Sequence, residues 1–188
     1  MTPDLLALSG LEAAPPPRTW ASDHEPAPRM ISIWRMIDAQ AAGDLLQEPG
    51  QIEAFLDEEG PELDLEHAWH GLHYLLAGSA RETAGPRGAL LGGHRLGEVN
   101  VGFGPARLLS CAEVAAFDDL LQCISEADLR ARFDAQALMR ADIYPNDWDG
   151  QRAGNPDPCA WLRAHFRNLK AFVAAARRDE MALVTYLA

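Results

Sequence analysis

At 188 residues, 48% of them hydrophobic, the chain is long enough for one domain with a real core. Its 28 acids against 16 bases give a net charge of −12, which repels phosphate and sets nucleic acid aside as a partner. No segment reaches the roughly 20 apolar residues that span a bilayer, no basic start and apolar run mark a secretory signal, and three cysteines without Cys-x-x-Cys spacing exclude a disulfide framework. A cytoplasmic protein without membrane contact is expected. Lys170 is the lone lysine among the bases, a bias that, with abundant alanine, points to a GC-rich bacterial genome.

Residues 1–29 read as a proline-rich N-terminal extension, and residues 30–188 as the domain. The run Pro15-Pro16-Pro17 favours extended polyproline geometry. Thr2 to Leu11 can form a short helix with Pro3 at its first position, and Trp20 is a docking point for the rest. Met30 to Ile37 predicts a strand. Asp38 then caps a helix through Gln47, Pro49-Gly50 breaks it, and Ile52 to Glu58 adds a turn or two. Residues 53–66 hold seven acids and no base, without the spacing of a calcium loop; a solvated acidic face is expected.

Residues 64–78, DLEHAWHGLHYLLAG, predict an amphipathic helix capped by Asp64 and stopped by Gly78. At about 100° per residue, Leu65, Trp69, Leu72 and Leu76 share one narrow stripe. His73 flanks that stripe as a half-buried residue donating one ring N–H to a backbone carbonyl. His70 is a border residue four positions from Glu66, and His67 faces water. The histidines are three apart and no His-Glu-x-x-His occurs, so neither a metal nor a cofactor is expected.

Seven glycines between residues 85 and 104 read as turn punctuation, with Ala89-Leu90-Leu91 as a short strand. Gly102 to Arg107 lacks the third glycine of a dinucleotide fingerprint, and Pro105 removes an N–H that a phosphate would use. Alternatively, this segment walls a pocket beside the histidine helix. Ser110 and Glu113 form a capping box for a helix to Ile124. Cys111, in its first turn, reads as a small buried residue. Ser125 caps residues 126–133, Asp134 caps 135–142, and Ile143-Tyr144-Pro145 ends that run. Residues 145–158 form a polar loop in which Trp148 plugs the core. Asp157 and Pro158 open the last helix, with His165 a satisfied core histidine on its apolar face. Met181 to Leu187 closes the chain as a strand. The fold class is therefore α+β, a helix-rich single domain with a small mixed β-sheet whose strand order stays open.

Several of these residues together resemble the YfbM-like family of small bacterial proteins, a domain of unknown function. The resemblance runs from about Met30 to Leu187. Its carriers are Met30-Ile31-Ser32, Trp69-His70-Gly71-Leu72-His73, Leu76-Ala77-Gly78, Ala89 to Gly93, Gly102 to Arg107, Phe133 and Ile143-Tyr144-Pro145. Trp69 and His73 match the family's steadier Trp and His pair on this helix, and the extension departs from members that begin at the strand. The resemblance implies a compact, soluble bacterial domain. It supplies no substrate, cofactor or catalytic residue.

Two functional readings remain. One is a non-catalytic binding or regulatory module whose partner is a basic protein, engaged through residues 53–66 or 145–158. The other is a small enzyme with a pocket of Glu66, Trp69, His70, His73, Arg107 and Tyr144. There His73 serves as base, Glu66 orients it and Arg107 holds an anionic group. That second reading requires His73, Arg107 and Tyr144 to converge on one solvent-reachable hollow. A third possibility is that His73 and Tyr144 only pack.

Overall fold

The computed structural model describes residues 30–150 and 157–188. The helix expected at Thr2 to Leu11 and the docking of Trp20 lie outside the described residues.

Strand β1 (Ser32–Ile37) buries side chains on both of its faces, as a central strand covered from two sides must. It pairs along its whole length with β5 (Ala182–Leu187). The short strands β2 (Glu62–Asp64), β3 (His94–Arg95) and β4 (Arg107–Leu109) complete a sheet of order β2-β1-β5-β4-β3. Every pair is antiparallel, which corrects the mixed sheet expected from the sequence. The two ends of the domain meet head to tail, Ile31 and Ala188 exchanging two backbone bonds of 2.9 Å each, and β3 and β4 pair directly with one another. No strand pair is left to run parallel, which would need a long crossover between its members.

The register decides which residues share a face. Trp34, Thr185 and Arg107 form one row, and Arg35, Val184 and Leu108 the next, on the opposite face. The first face is covered by α3 (Ala68–Ala77), α4 (Cys111–Gln122), α5 (Glu126–Arg132), α6 (Ala135–Arg140) and α7 (Pro158–Arg178). Trp34, Leu72, Phe117, Leu121, Phe166 and Val173 fill that layer. The second face carries α1 (Ala39–Gln47) and α2 (Ile52–Asp57), over Ile37, Leu45, Ile52, Leu96 and Val184.

The helix starts follow the capping chemistry. Asp38, Asp134 and Asp157 accept first-turn N–H groups, and Ser110 with Glu113 closes its capping box. Ser125 closes another with Asp128. Trp148 is 2% exposed and its Nε1–H donates to Ile143 O at 2.7 Å, so it plugs the core against Gly71 of α3.

Three segments depart from expectation. The run Ala89-Leu90-Leu91 is a turn, because the preceding residues Pro86–Gly88 coil as a 3-10 helix. β2 lies within the acidic stretch, where charge conceals the strand. Arg35, 4% exposed, ties that stretch down: Nη1 donates to Leu56 O at 2.7 Å and Phe55 O at 3.2 Å, and Nη2 to Glu58 O. A cation thus sits on the carbonyls at the end of α2, favoured by the helix dipole. Finally, α3 starts at Ala68, not beside Asp64. The Asp64 carboxylate turns back on the Glu66 N–H at 2.6 Å, and Glu66 adopts φ 47°, which ends any helical run before it.

Candidate functional site

The late start of α3 rearranges the residues expected on it. Glu66 lies outside the helix, so the four-residue pairing with His70 does not form. Its carboxylate instead stands 3.7 Å from His165 Nε2 on α7. His165 is buried, and burial holds its pKa below the ordinary value, with Glu66 and Asp64 opposing that shift. Its Nδ1 has no partner among the described residues, so it is not the fully satisfied core histidine expected.

Trp69, His70 and Tyr144 do come together, around the backbone of Met30. The Met30 N–H donates to Tyr144 Oη at 2.9 Å, and Trp69 Nε1 donates to Met30 O at 3.2 Å. The Trp69 ring stacks on His70 at 4.8 Å and on Tyr144 at 6.0 Å. His70 Nδ1 accepts the Tyr144 backbone N–H at 3.0 Å. The proton therefore sits on Nε2, which donates to Ala80 O at 2.9 Å. Both imidazole nitrogens are committed to the backbone.

His73 is 0% exposed, which corrects the half-buried place expected of it. The segment after Gly78 folds over it, and Nε2 donates to Arg81 O at 2.8 Å. That bond matches the expectation of a backbone carbonyl partner. Nδ1 is unpaired among the described residues. Burial pushes the His73 pKa down; the Arg81 carbonyl bond and the Glu82 charge oppose this, and His70 adds to it.

Arg107 belongs to a different neighbourhood. Nη1 meets Glu82 Oε1 at 2.9 Å and Nη2 meets Oε2 at 3.4 Å, while Nη1 also reaches Gly93 O at 3.4 Å. Of the six residues, only Arg107 lines either of two cavities that flank Glu82. Among the described residues, no three His, Cys, Asp or Glu side chains gather as a metal set.

The first cavity has a volume of about 390 Å³. Its walls are small and apolar, with Ala89, Gly93, Leu109 and Ala116 among them, and two carboxylates, Glu82 and Glu113, border it. Glu113 spends Oε2 on the Ser110 N–H (2.8 Å) and hydroxyl (2.7 Å). Its Oε1 makes no hydrogen bond among the described residues. The second cavity, about 240 Å³, is lined by Ser32, Leu90, Phe103, Arg107, Thr185 and Leu187, with Glu82 shared. The glycine-rich segment does wall a pocket, but against β4 and α4, and no residue of the histidine helix lines it.

Glu82, Glu113, Ser32, Thr185 and Phe103 were not singled out as site residues by the sequence. One signal existed: Thr185 interrupts an otherwise apolar closing strand. Glu113 was fully explained by its capping role, which hid its second face.

A family model described as "Domain of unknown function (DUF1877)" matches residues 29–186. Among solved structures, the chain is similar to the crystal structure of a protein of unknown function, YfbM, from Escherichia coli. The TM-score is 0.65 at 24% identity, covering 84% of this chain and 99% of that one, a likeness that shows the fold. No curated protein matches the chain.

Proposed function

This chain belongs to the DUF1877 family, and from that premise we propose that it is a non-catalytic binding module that seats a basic side chain of a protein partner between Glu82 and Glu113. The observation that carries this reading is the composition of the 390 Å³ cavity: apolar small-residue walls beneath two carboxylates. A lysine or arginine stem lies along such walls while its charge meets the acids. The volume falls in the ordinary range of ligand pockets.

The acidic stretch adds steering. Glu53, Asp57, Glu58, Glu59, Glu62 and Asp64 are all exposed, on a chain of net charge −12. Such a surface speeds encounter with a basic partner and does so best at low salt. The acid–base alternative needs His73 as an accessible base. A fully buried imidazole with one nitrogen spent on a carbonyl does not offer one. We place the module in the cytoplasm, which the free thiols of Cys111, Cys123 and Cys159 support.

Calorimetric titration of the full chain with an arginine- and lysine-rich peptide tests the proposal. Glu113→Gln keeps the capping box, since Gln serves there too, yet removes the charge. It should weaken binding about tenfold, the value of one charge-assisted contact. Unchanged affinity in both Glu113→Gln and Glu82→Gln would exclude this cavity as the seat.

A further inference from the structure

The second cavity, on the other side of Glu82, has a polar floor of two sheet hydroxyls, Ser32 and Thr185. Thr185 lies between Trp34 and Arg107 in one cross-strand row, and Ser32 stands two residues along β1 from Trp34 on the same face. Both hydroxyl residues are buried, Ser32 at 2% exposure and Thr185 at 5%. Ser32 Oγ accepts the Trp34 Nε1–H at 3.1 Å, which leaves its own proton to donate. The Thr185 hydroxyl has no hydrogen-bond partner among the described residues. It opens to the cavity beside Arg107, so its proton is available to an acceptor that enters there. Around this floor stand Leu90, Leu91, Pro105 and Leu187, with the exposed ring of Phe103 at the edge.

We infer that this cavity binds a small carboxylate with a flat apolar body, its carboxylate on the Arg107 fork and the Thr185 and Ser32 hydroxyls, its body against Phe103. An arginine fork matches a carboxylate in two parallel bonds, and hydroxyl donors complete the acceptor's lone pairs. Glu82 now occupies that fork from its own loop, as an internal carboxylate. Its side chain is 56% exposed, so it leaves without unpacking the core. The exchange has a consequence that rests on the function proposed above. A carboxylate on Arg107 frees Glu82 for a cation in the neighbouring cavity, so each ligand strengthens the other by the same factor.

The test is an NMR titration of the full chain with benzoate, and with benzamide as its neutral match. Benzoate is expected to give saturable shifts at the Thr185 methyl and the Phe103 ring, and benzamide none. Arg107→Met should abolish the response. Thr185→Val, which preserves shape, should weaken it without disturbing the fold. Glu82→Gln should tighten benzoate by up to about fivefold, the worth of one exposed ion pair removed as competitor, while weakening the basic peptide. The two readings therefore fail separately. Equal response to benzamide, undiminished benzoate affinity in Arg107→Met or Thr185→Val, or no saturable shift at millimolar benzoate would overturn the inference.

Discussion

His73 and Arg35 show how single buried polar residues organise this chain. His73 and His165 both hold pKa values below the ordinary 6.5, chiefly because burial penalises the imidazolium. On acidification the unfolded chain takes up these protons before the folded chain does. Stability is therefore complete above about pH 6.5 and falls as the pH drops from there toward the folded pKa values. Thermal unfolding should give a melting temperature that is flat above about pH 6.5 and declines toward about pH 5. His73→Gln, whose Nε2 can still donate to the Arg81 carbonyl, should flatten part of that decline; a decline of unchanged size would show that His73 does not contribute. Arg35→Met tests a different cost. It strands the carbonyls of Phe55, Leu56 and Glu58 without their donor, and should cost about 3 kcal/mol in denaturant unfolding. A loss within about 0.5 kcal/mol, typical of a surface change, would mean that water replaces the guanidinium there.

At the scale of elements, the sequence is legible wherever a local cap decides the start. Asp38, Ser110, Ser125, Asp134 and Asp157 each sit where side-chain chemistry predicts a helix, and a helix begins at each. Asp64 has the same chemistry and fails as a helix cap. Leu65 N–H and Ser32 N–H pair across to β1 and to Glu66 O respectively, so the sheet claims that backbone first. Angle arithmetic along residues 64–78 then places Glu66 and His67 on a helix that has not begun. The Ala89-Leu90-Leu91 run misleads for a related reason: an apolar triplet fits a buried turn as well as a strand, and periodicity cannot separate them. Gly88 is what permits the turn. A Cβ there would lie 1.6 Å from the Thr83 carbonyl oxygen, a backbone atom that can move only with its loop. Gly88→Ala should therefore displace residues 83–93 and abolish peptide binding while leaving helical circular dichroism intact. Retained binding would show that the first cavity does not depend on this packing.

For the molecule as a whole, the α+β class was readable from composition and pattern, but convergence was not. The α+β class follows from strand-like ends around capped helices. The mixed sheet does not follow, because strand direction depends on how distant segments meet. The candidate site shared this limit. Trp69, His70 and Tyr144 meet because helix and turn pack around Met30, whereas Arg107 is drawn to Glu82, a residue with no motif of its own. Surface charge also acts at this scale. Seating of a basic partner should weaken steeply with added salt, because exposed charges are screened within about 8 Å at physiological ionic strength. The most direct test of the proposed function locates the ligand. Amide shifts of the full chain titrated with a blocked lysine should concentrate on Gly85, Gly92, Gly93 and Ala116 around the Glu82–Glu113 cavity. Shifts confined to the exposed acids of residues 53–66, or absent altogether, would contradict it.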